Sequence, residues 1–349
     1  MIAIDGSMGE GGGQVLRSAL ALSLLTSTPL RISKIRAGRA RPGLMRQHLV
    51  AVHAAASISD AEVGGAELGS TELLFRPGAI RGGDYRFSIG SAGSTTLVCQ
   101  TILLPLLLGT TKPSRLSFEG GTHNPAAPPF DFLERVFLPL LARMGARVEV
   151  SLVRHGFYPA GGGEWSASVQ PVERLQRLEL RERGSIRTQT ARALCAAIPG
   201  SVGVRQVDAL ATALGWDRAH CRPHRVEGTR GPGNVLLASI ESEHVTELVT
   251  GFGEGGVPAE RVAASVAERV RRYLAAEVPV GEHLADQLLL PMALGSGGVF
   301  RTLKPSLHCT TQLRLLELFL AAKATAVEER ADVWRLEVDS PPPDASRRE

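Results

Sequence analysis

Apolar and polar positions along this chain switch between two periods, and the switches mark out its elements. Ile2 to Ile4 form an apolar run of strand length. After a glycine loop, Val15, Leu16, Ala19, Leu20 and Leu22 recur at helical spacing. Continued to Arg76, the pattern predicts strand 2–4, helix 13–25, strand 30–36, helix 43–57 and strands 61–67 and 72–76, an order βαβαββ. The order then returns as strand 84–89, a second glycine loop, helix 95–108, strand 115–118, helix 129–144 and strands 147–154 and 164–169. Gln14 and Gln100 hold matching places after their loops, 86 positions apart, which sets a structural repeat.

A third unit should begin near Leu178 with a glutamine-bearing helix soon after, but no such helix follows. Gln287, in G-E-H-L-A-D-Q-L-L-L-P-M-A-L, echoes Gln100, in Q-T-I-L-L-P-L-L-L, only 187 positions later. The excess over one period is about 100 residues, the size of a small inserted domain. The third unit then finishes with strand 298–303, helix 309–321 and strands 324–328 and 333–338. The expected fold class is α/β (α+β), built from three βαβαββ repeats with a small α/β insert. A large domain spans 1–181 and 278–339, and the insert spans 182–277 with strands 192–197 and 235–241 and helices 201–214 and 258–276. The Pro- and charge-rich tail, 340–349, is expected to be disordered.

Composition adds limits. With 349 residues, 44% hydrophobic and 21% charged, the chain reads as a globular protein. Its longest apolar run, Thr101 to Leu108, contains Pro105 and is too short to span a bilayer. No secretory signature is visible, so the reading is a soluble cytoplasmic protein without a membrane partner. The four cysteines are scattered and form no C-x-x-C pair; His220, Cys221 and His224 are close in sequence but lack a second ligand pair. A net charge of +4 permits a nucleic-acid partner, and only 16 aromatic residues argue against a long base-stacking platform. Nucleic acid would be held by its phosphate and at its end.

Candidate chemistry gathers at the loops. Five glycines between Gly6 and Gly13 allow backbone to approach an anion at a helix start, yet the loop fits neither G-x-x-x-x-G-K-[ST] nor G-x-G-x-x-G. Glu10 lies inside it, and a carboxylate beside phosphates implies a bridging divalent cation. Arg36, Arg39, Arg41 and Arg46 crowd the next turn, as a phosphate grip or a solvated basic turn. Gln14 and Arg17 from the first unit, Ser91 to Gln100 from the second, and Glu282, His283, Asp286 and Gln287 from the third would meet in one cleft under pseudo-symmetry. His308 opens a helix, where the dipole disfavours its protonated form; it reads as a nucleophile or as a capping or buried structural residue. Cys309 is a rival nucleophile, but adjacent helical residues diverge by about 100°, so only one of the two faces the cleft. The segment from Arg154 to Gly163 reads as a hairpin carrying Arg154 and His155.

The runs D-G-S-M-G-E-G-G-G-Q-V-L-R-S, I-R-A-G-R-A-R-P-G-L-M-R-Q-H-L, G-S-A-G-S-T-T-L-V-C-Q, G-G-T-H-N-P-A-A-P-P-F-D-F, R-H-G-F-Y-P-A-G-G-G and G-E-H-L-A-D-Q-L-L-L-P-M-A-L, together with His308, resemble the RNA 3′-terminal phosphate cyclase family. The resemblance covers nearly the whole chain and is loosest in the insert. It implies the repeats shared with enolpyruvate transferases and a thioredoxin-like insert without redox cysteines. It also implies a ligase that takes ATP and an RNA 3′-phosphate end, passes through histidine–AMP, and leaves a 2′,3′-cyclic end in RNA processing or repair. By similarity His308 is the nucleophile and Glu10 binds Mg2+ or Mn2+. Arg17, Arg39 and Gln47 serve phosphates and RNA, while Gln100, Pro128, Asp131, His283, Asp286 and Gln287 serve the nucleotide. Where bacterial relatives would stack a tyrosine on adenine, this chain has His283. A homodimer is compatible with the resemblance. The alternative is an inert cyclase-like ribosome-assembly factor, against which His308, Glu10, Arg17 and Arg39 argue; an enolpyruvate transferase would need six units.

Overall fold

The structure is a computed structural model that describes residues 1–320 and 322–339. The first unit comprises β1 (Ile2–Asp5), α1 (Gly13–Thr26), β2 (Leu30–Ser33), α2 (Arg46–Ser57), β3 (Glu62–Gly64) and β4 (Leu73–Arg76). The second comprises β5 (Asp84–Ser88), α3 (Thr95–Leu108), β6 (Ser114–Gly120), α4 (Phe130–Phe132), a π turn (Leu133–Phe137) leading into α5 (Leu138–Arg143), β7 (Arg147–Arg154) and β8 (Gly163–Gln170). After β9 (Leu178–Leu180) the chain leaves the repeat through β10 (Ile186–Ala196), α6 (Gly200–Leu214), β11 (Cys221–Val226), β12 (Gly233–Ser242), β13 (Thr246–Phe252) and α7 (Ala259–Ala276). It returns with α8 (Glu282–Leu294), β14 (Gly298–Thr302), α9 (Leu307–Phe319), β15 (Lys323–Arg330) and β16 (Val333–Asp339). The expected helix end at Ala321 and the expected disorder of 340–349 lie outside the described residues.

The repeat is visible in sheet topology. Three four-stranded sheets share one order, β1-β2-β4-β3, β5-β6-β8-β7 and β9-β14-β16-β15. In each, the first pair is parallel and the others antiparallel. A parallel pair needs a long crossover. α1 and α3 supply it in the first two units. In the third, the excursion from β10 to α7 and then α8 separate β9 from β14.

The excursion forms its own sheet, β11-β10-β12-β13, parallel only between β10 and β11. One face of this sheet packs on α7 in a second hydrophobic cluster, with Val262, Val266 and Val270 buried at the predicted spacing, while Leu194, Val235, Leu237 and Leu248 join the main core. Two of its strands escape the sequence pattern. β11, C-R-P-H-R-V, exposes its four central residues at the sheet edge, where a proline costs no ladder bond. β13 carries polar residues and Gly251. β10 likewise starts earlier than its apolar run suggests, because after an exposed Ile186 it runs through the polar residues Arg187, Thr188, Gln189 and Thr190, none of them buried.

Helices α1, α2, α3, α8 and α9 pack on one another inside the repeat domain. α3 is apolar on all sides, as a central helix must be, and every residue of it except Gln100 and Leu108 is buried. Each fully buried leucine there contributes about 1.5–3 kcal/mol. The exception is informative, because the polar gap at Gln100 opens onto a cavity. Among the described residues no helix is long and apolar enough to cross a membrane.

Candidate active site

The glycine loop before α1 is shaped by α9. Gly9 has φ +58°, and a Cβ there would run into the Thr311 side chain. Thr311 Oγ1 accepts a hydrogen bond from the Glu10 backbone N–H at 3.0 Å. That contact joins the N-termini of α1 and α9, far apart in sequence. At the start of α9, Ser306 caps the helix by accepting from Cys309 N at 3.3 Å, and His308 projects outward, with its side chain 48% exposed. Cys309 points the other way into the core, where burial pushes its thiol up, so the choice between neighbours falls on His308.

His308 Nδ1 lies 2.8 Å from Gln14 Oε1 and 3.9 Å from Glu10 Oε1. Gln14 Nε2 donates to Asp286 Oδ2 of α8 at 3.2 Å. Three helix starts, from the first and third units, therefore converge on one network. Gln14, Arg17, Gln100, Pro128, His283, Asp286, Gln287 and His308, all expected at the site, line a single cavity of about 690 Å³. The opposite wall comes from the excursion, through Leu248, Thr250 and Phe252 of β13 and Arg269 of α7. No sequence signal marked these wall residues, since β13 itself went unpredicted.

Glu10 and Arg39 form an ion pair at the edge of this network, with Glu10 almost fully enclosed. Gln47 Oε1 accepts from Ser94 N at 2.9 Å and so holds the second glycine loop at the start of α3. Arg36 is occupied by the carbonyls of Arg41 and Gly43, at 2.6 and 2.8 Å, and braces its own turn. Asp131 lies beyond the cavity wall. It lines a second cavity of about 1060 Å³ and binds His123 Nε2 at 2.8 Å and Arg192. His155 stacks on His123 there, with ring centroids 5.0 Å apart, and Arg154 pairs with Glu164 at 2.5 Å. Among the described residues, no group of three or more His, Cys, Asp or Glu could hold a metal, the His220–Cys221–His224 stretch included.

Burial sets the electrostatics of the first cavity. It raises the Asp286 carboxyl to about 7 against the pull of Arg17, and lowers Arg17 to about 10, still charged at neutral pH. His48, buried behind the loop next to Arg17 and Arg36, is driven down to about 3 and stays neutral. Burial also lowers His308, with Arg17 and Arg39 adding to it and the Glu10 carboxylate opposing. A neutral imidazole beside fixed positive charge and an enclosed carboxylate is equipped for nucleophilic attack on a phosphoryl group.

The model of the RNA 3′-terminal phosphate cyclase family matches residues 8–326. The chain belongs to that family. It is 52% identical over 340 residues to an RNA 3′-terminal phosphate cyclase of Ralstonia nicotianae, an alignment covering 97% of each chain. It is 53% identical over 326 residues to one of Pseudomonas fluorescens, covering 93% of this chain and 94% of that one. The match includes the excursion from β10 to α7, so the second wall of the cavity falls inside the family alignment.

Proposed function

We propose that this chain converts an RNA 3′-terminal phosphate to a 2′,3′-cyclic phosphodiester at the expense of ATP, through a covalent histidine–AMP. Family membership supports the overall reaction. The observation that most favours the covalent route is His308, which has one ring nitrogen bonded and the other without a hydrogen-bond partner among the described residues, on a cavity of nucleotide size.

In the first step His308 Nε2 forms a bond to the α-phosphorus of ATP. The bond to the bridging oxygen breaks, and pyrophosphate leaves with the electron pair. An oxygen of the RNA 3′-phosphate then takes the AMP, and the ring recovers its electron pair as the N–P bond breaks. The RNA 2′-hydroxyl attacks the activated phosphorus, gives up its proton to solvent, and displaces AMP. Adenylylation matters because a bare phosphate oxygen is a poor leaving group, whereas AMP departs readily.

In this reading Gln100, Pro128, His283, Asp286 and Gln287 surround the adenosine, and His283 offers a ring for the base. Asp131 acts on that site from behind, by anchoring through His123 and Arg192 the segment that carries Pro128. Arg17, Arg39 and Gln47 serve the phosphates and the RNA end. Glu10 suits a divalent cation: one enclosed carboxylate facing the phosphate site matches Mg2+ or Mn2+, which take one or two carboxylates and complete their shell with phosphate oxygens and water. Such an ion would neutralise charge building on the phosphates, and Arg39 occupies the carboxylate otherwise.

Incubation with ATP labelled at the α-phosphate and a divalent metal should give an acid-labile protein adduct. Equal labelling of His308→Ala would remove the nucleophile assignment.

A further inference from the structure

Each repeat contributes a glutamine near the cavity, and the three are used differently. Gln100 Nε2 donates to Gln287 Oε1 at 2.5 Å, and Gln287 Nε2 donates to the His283 carbonyl at 3.1 Å. Those two bind each other, and Gln287 also binds its own helix. Gln14 alone reaches His308, 294 positions away in sequence.

The Gln14 amide lies between His308 and two oxygen atoms behind it. Its Nε2 faces two acceptors, Asp286 Oδ2 at 3.2 Å and Gln312 Oε1 at 3.4 Å. Gln312 Oε1 is itself engaged by the Ser18 hydroxyl at 2.7 Å. Once Asp286 is ionised, above about pH 7, a reversed amide would set the Gln14 oxygen against a carboxylate and the Gln312 carbonyl oxygen and lose both hydrogen bonds. With Nε2 held on that side, Oε1 must face His308. A carbonyl oxygen only accepts, so the hydrogen must sit on His308 Nδ1. The Glu10 carboxylate, at 3.9 Å, is too far to compete for it.

We infer that Gln14 is a positioning residue that locks His308 in the tautomer protonated on Nδ1, placing the nucleophilic lone pair on Nε2. This inference rests on the nucleotidyl-transfer reading and specifies how its nucleophile is prepared. When Nε2 bonds to phosphorus with Nδ1 still protonated, the ring becomes positively charged. The Nδ1–H···Oε1 bond then turns into a charge-assisted one and strengthens as the reaction proceeds. An interaction that is stronger in the transition state than in the ground state raises kcat more than it lowers KM.

The test uses full-length protein labelled with nitrogen-15 in histidine, with no nucleotide present, and identifies the His308 resonances by their loss in His308→Ala. Native protein should show a protonated Nδ1 and an unprotonated Nε2. Gln14→Leu should lose this preference and slow adenylylation by about 10- to 100-fold, the usual cost of removing a histidine's orienting partner, with the KM for ATP nearly unchanged. Gln14→Met keeps the side-chain length without an amide oxygen against Nδ1 and should lose the preference in the same way; it serves should the leucine variant fail to fold. A native His308 protonated on Nε2, or a tautomer that Gln14→Leu leaves as it was, would overturn the inference. A native Nδ1-protonated His308 in a protein that never labels with ATP would leave the positioning role standing and remove the nucleotidyl-transfer reading instead.

Discussion

His308 and His123 lie on opposite sides of the wall that begins at Pro128, and they show two ways to use an imidazole. His123 is fully buried, with Nδ1 at 2.8 Å from Thr122 Oγ1 and Nε2 at 2.8 Å from Asp131 Oδ2. Both nitrogens are occupied, so the ring cross-links the segment at the start of α4 to the 122–124 loop. His308 is half exposed, has one nitrogen on Gln14, and presents the other to a cavity. Neighbouring carboxylates do not distinguish the two. A histidine is available for bond formation only when its network leaves one nitrogen without a partner and gives it room.

The sharpest test of that contrast is to remove each ring. His308→Ala should reduce adenylylation by more than about 10³-fold while leaving the thermal midpoint near native, as expected for a lost covalent nucleophile. His123→Ala should do the reverse. It should cost about 2–4 kcal/mol in denaturant unfolding, because Asp131 loses a buried partner, and raise the KM for ATP as the Pro128 segment loosens, while labelling per folded molecule at saturating ATP stays within a few-fold of native. If both variants lose labelling equally without losing stability, the division of roles is wrong.

Glu10 sharpens the reactive side. Glu10→Ala should raise the metal concentration needed for half-maximal labelling by about 10- to 100-fold, the equivalent of a charge-assisted interaction of about 1.5–3 kcal/mol, with no change in melting temperature. An unchanged metal titration would exclude it as a ligand.

The smallest effect concerns a buried carboxylate that joins the two walls. Glu247 of β13 accepts from Gly281 N at 2.9 Å, just ahead of α8, and burial raises its carboxyl to about 7. The folded state then holds a proton that the unfolded state releases above its ordinary carboxylate value. Stability contributed by this group is complete below about pH 4.5 and is lost as pH rises through about 7. Asp286, also raised to about 7, adds in the same window. Glu247→Gln should flatten unfolding free energy between those pH values by about 1–3 kcal/mol, measured by urea titration at several pH values. A slope identical to native would show that the Glu247 proton is not retained on folding.

The repeat architecture was legible because it is written in local terms. Apolar spacing and glycine loops depend on neighbours within about two helical turns, and period counting pointed to extra chain in the third unit, where β10 to α7 now stand. Where local signal was weak, reading failed. β11 is a polar edge strand stabilised by its partner β10, and β13 lacks clear alternation, so neither announces itself. The candidate nucleophile was visible as a histidine opening a helix, but its sequence left Cys309 as a rival and a capping role open. Packing turns Cys309 into the core and leaves His308 as the neighbour that faces the cavity.

The chain by itself thus determined most of its helices and strands, β11 and β13 excepted, how many times the unit recurs, and which residue types stand at its loops. Tertiary structure alone decided that Gln14 rather than Gln100 or Gln287 meets His308, that Asp131 faces away from the first cavity, and that β13 and α7 close it. The reason is physical. Periodicity encodes which face of an element is buried, whereas hydrogen bonds between residues 294 positions apart depend on how buried faces dock, and no local pattern carries that information.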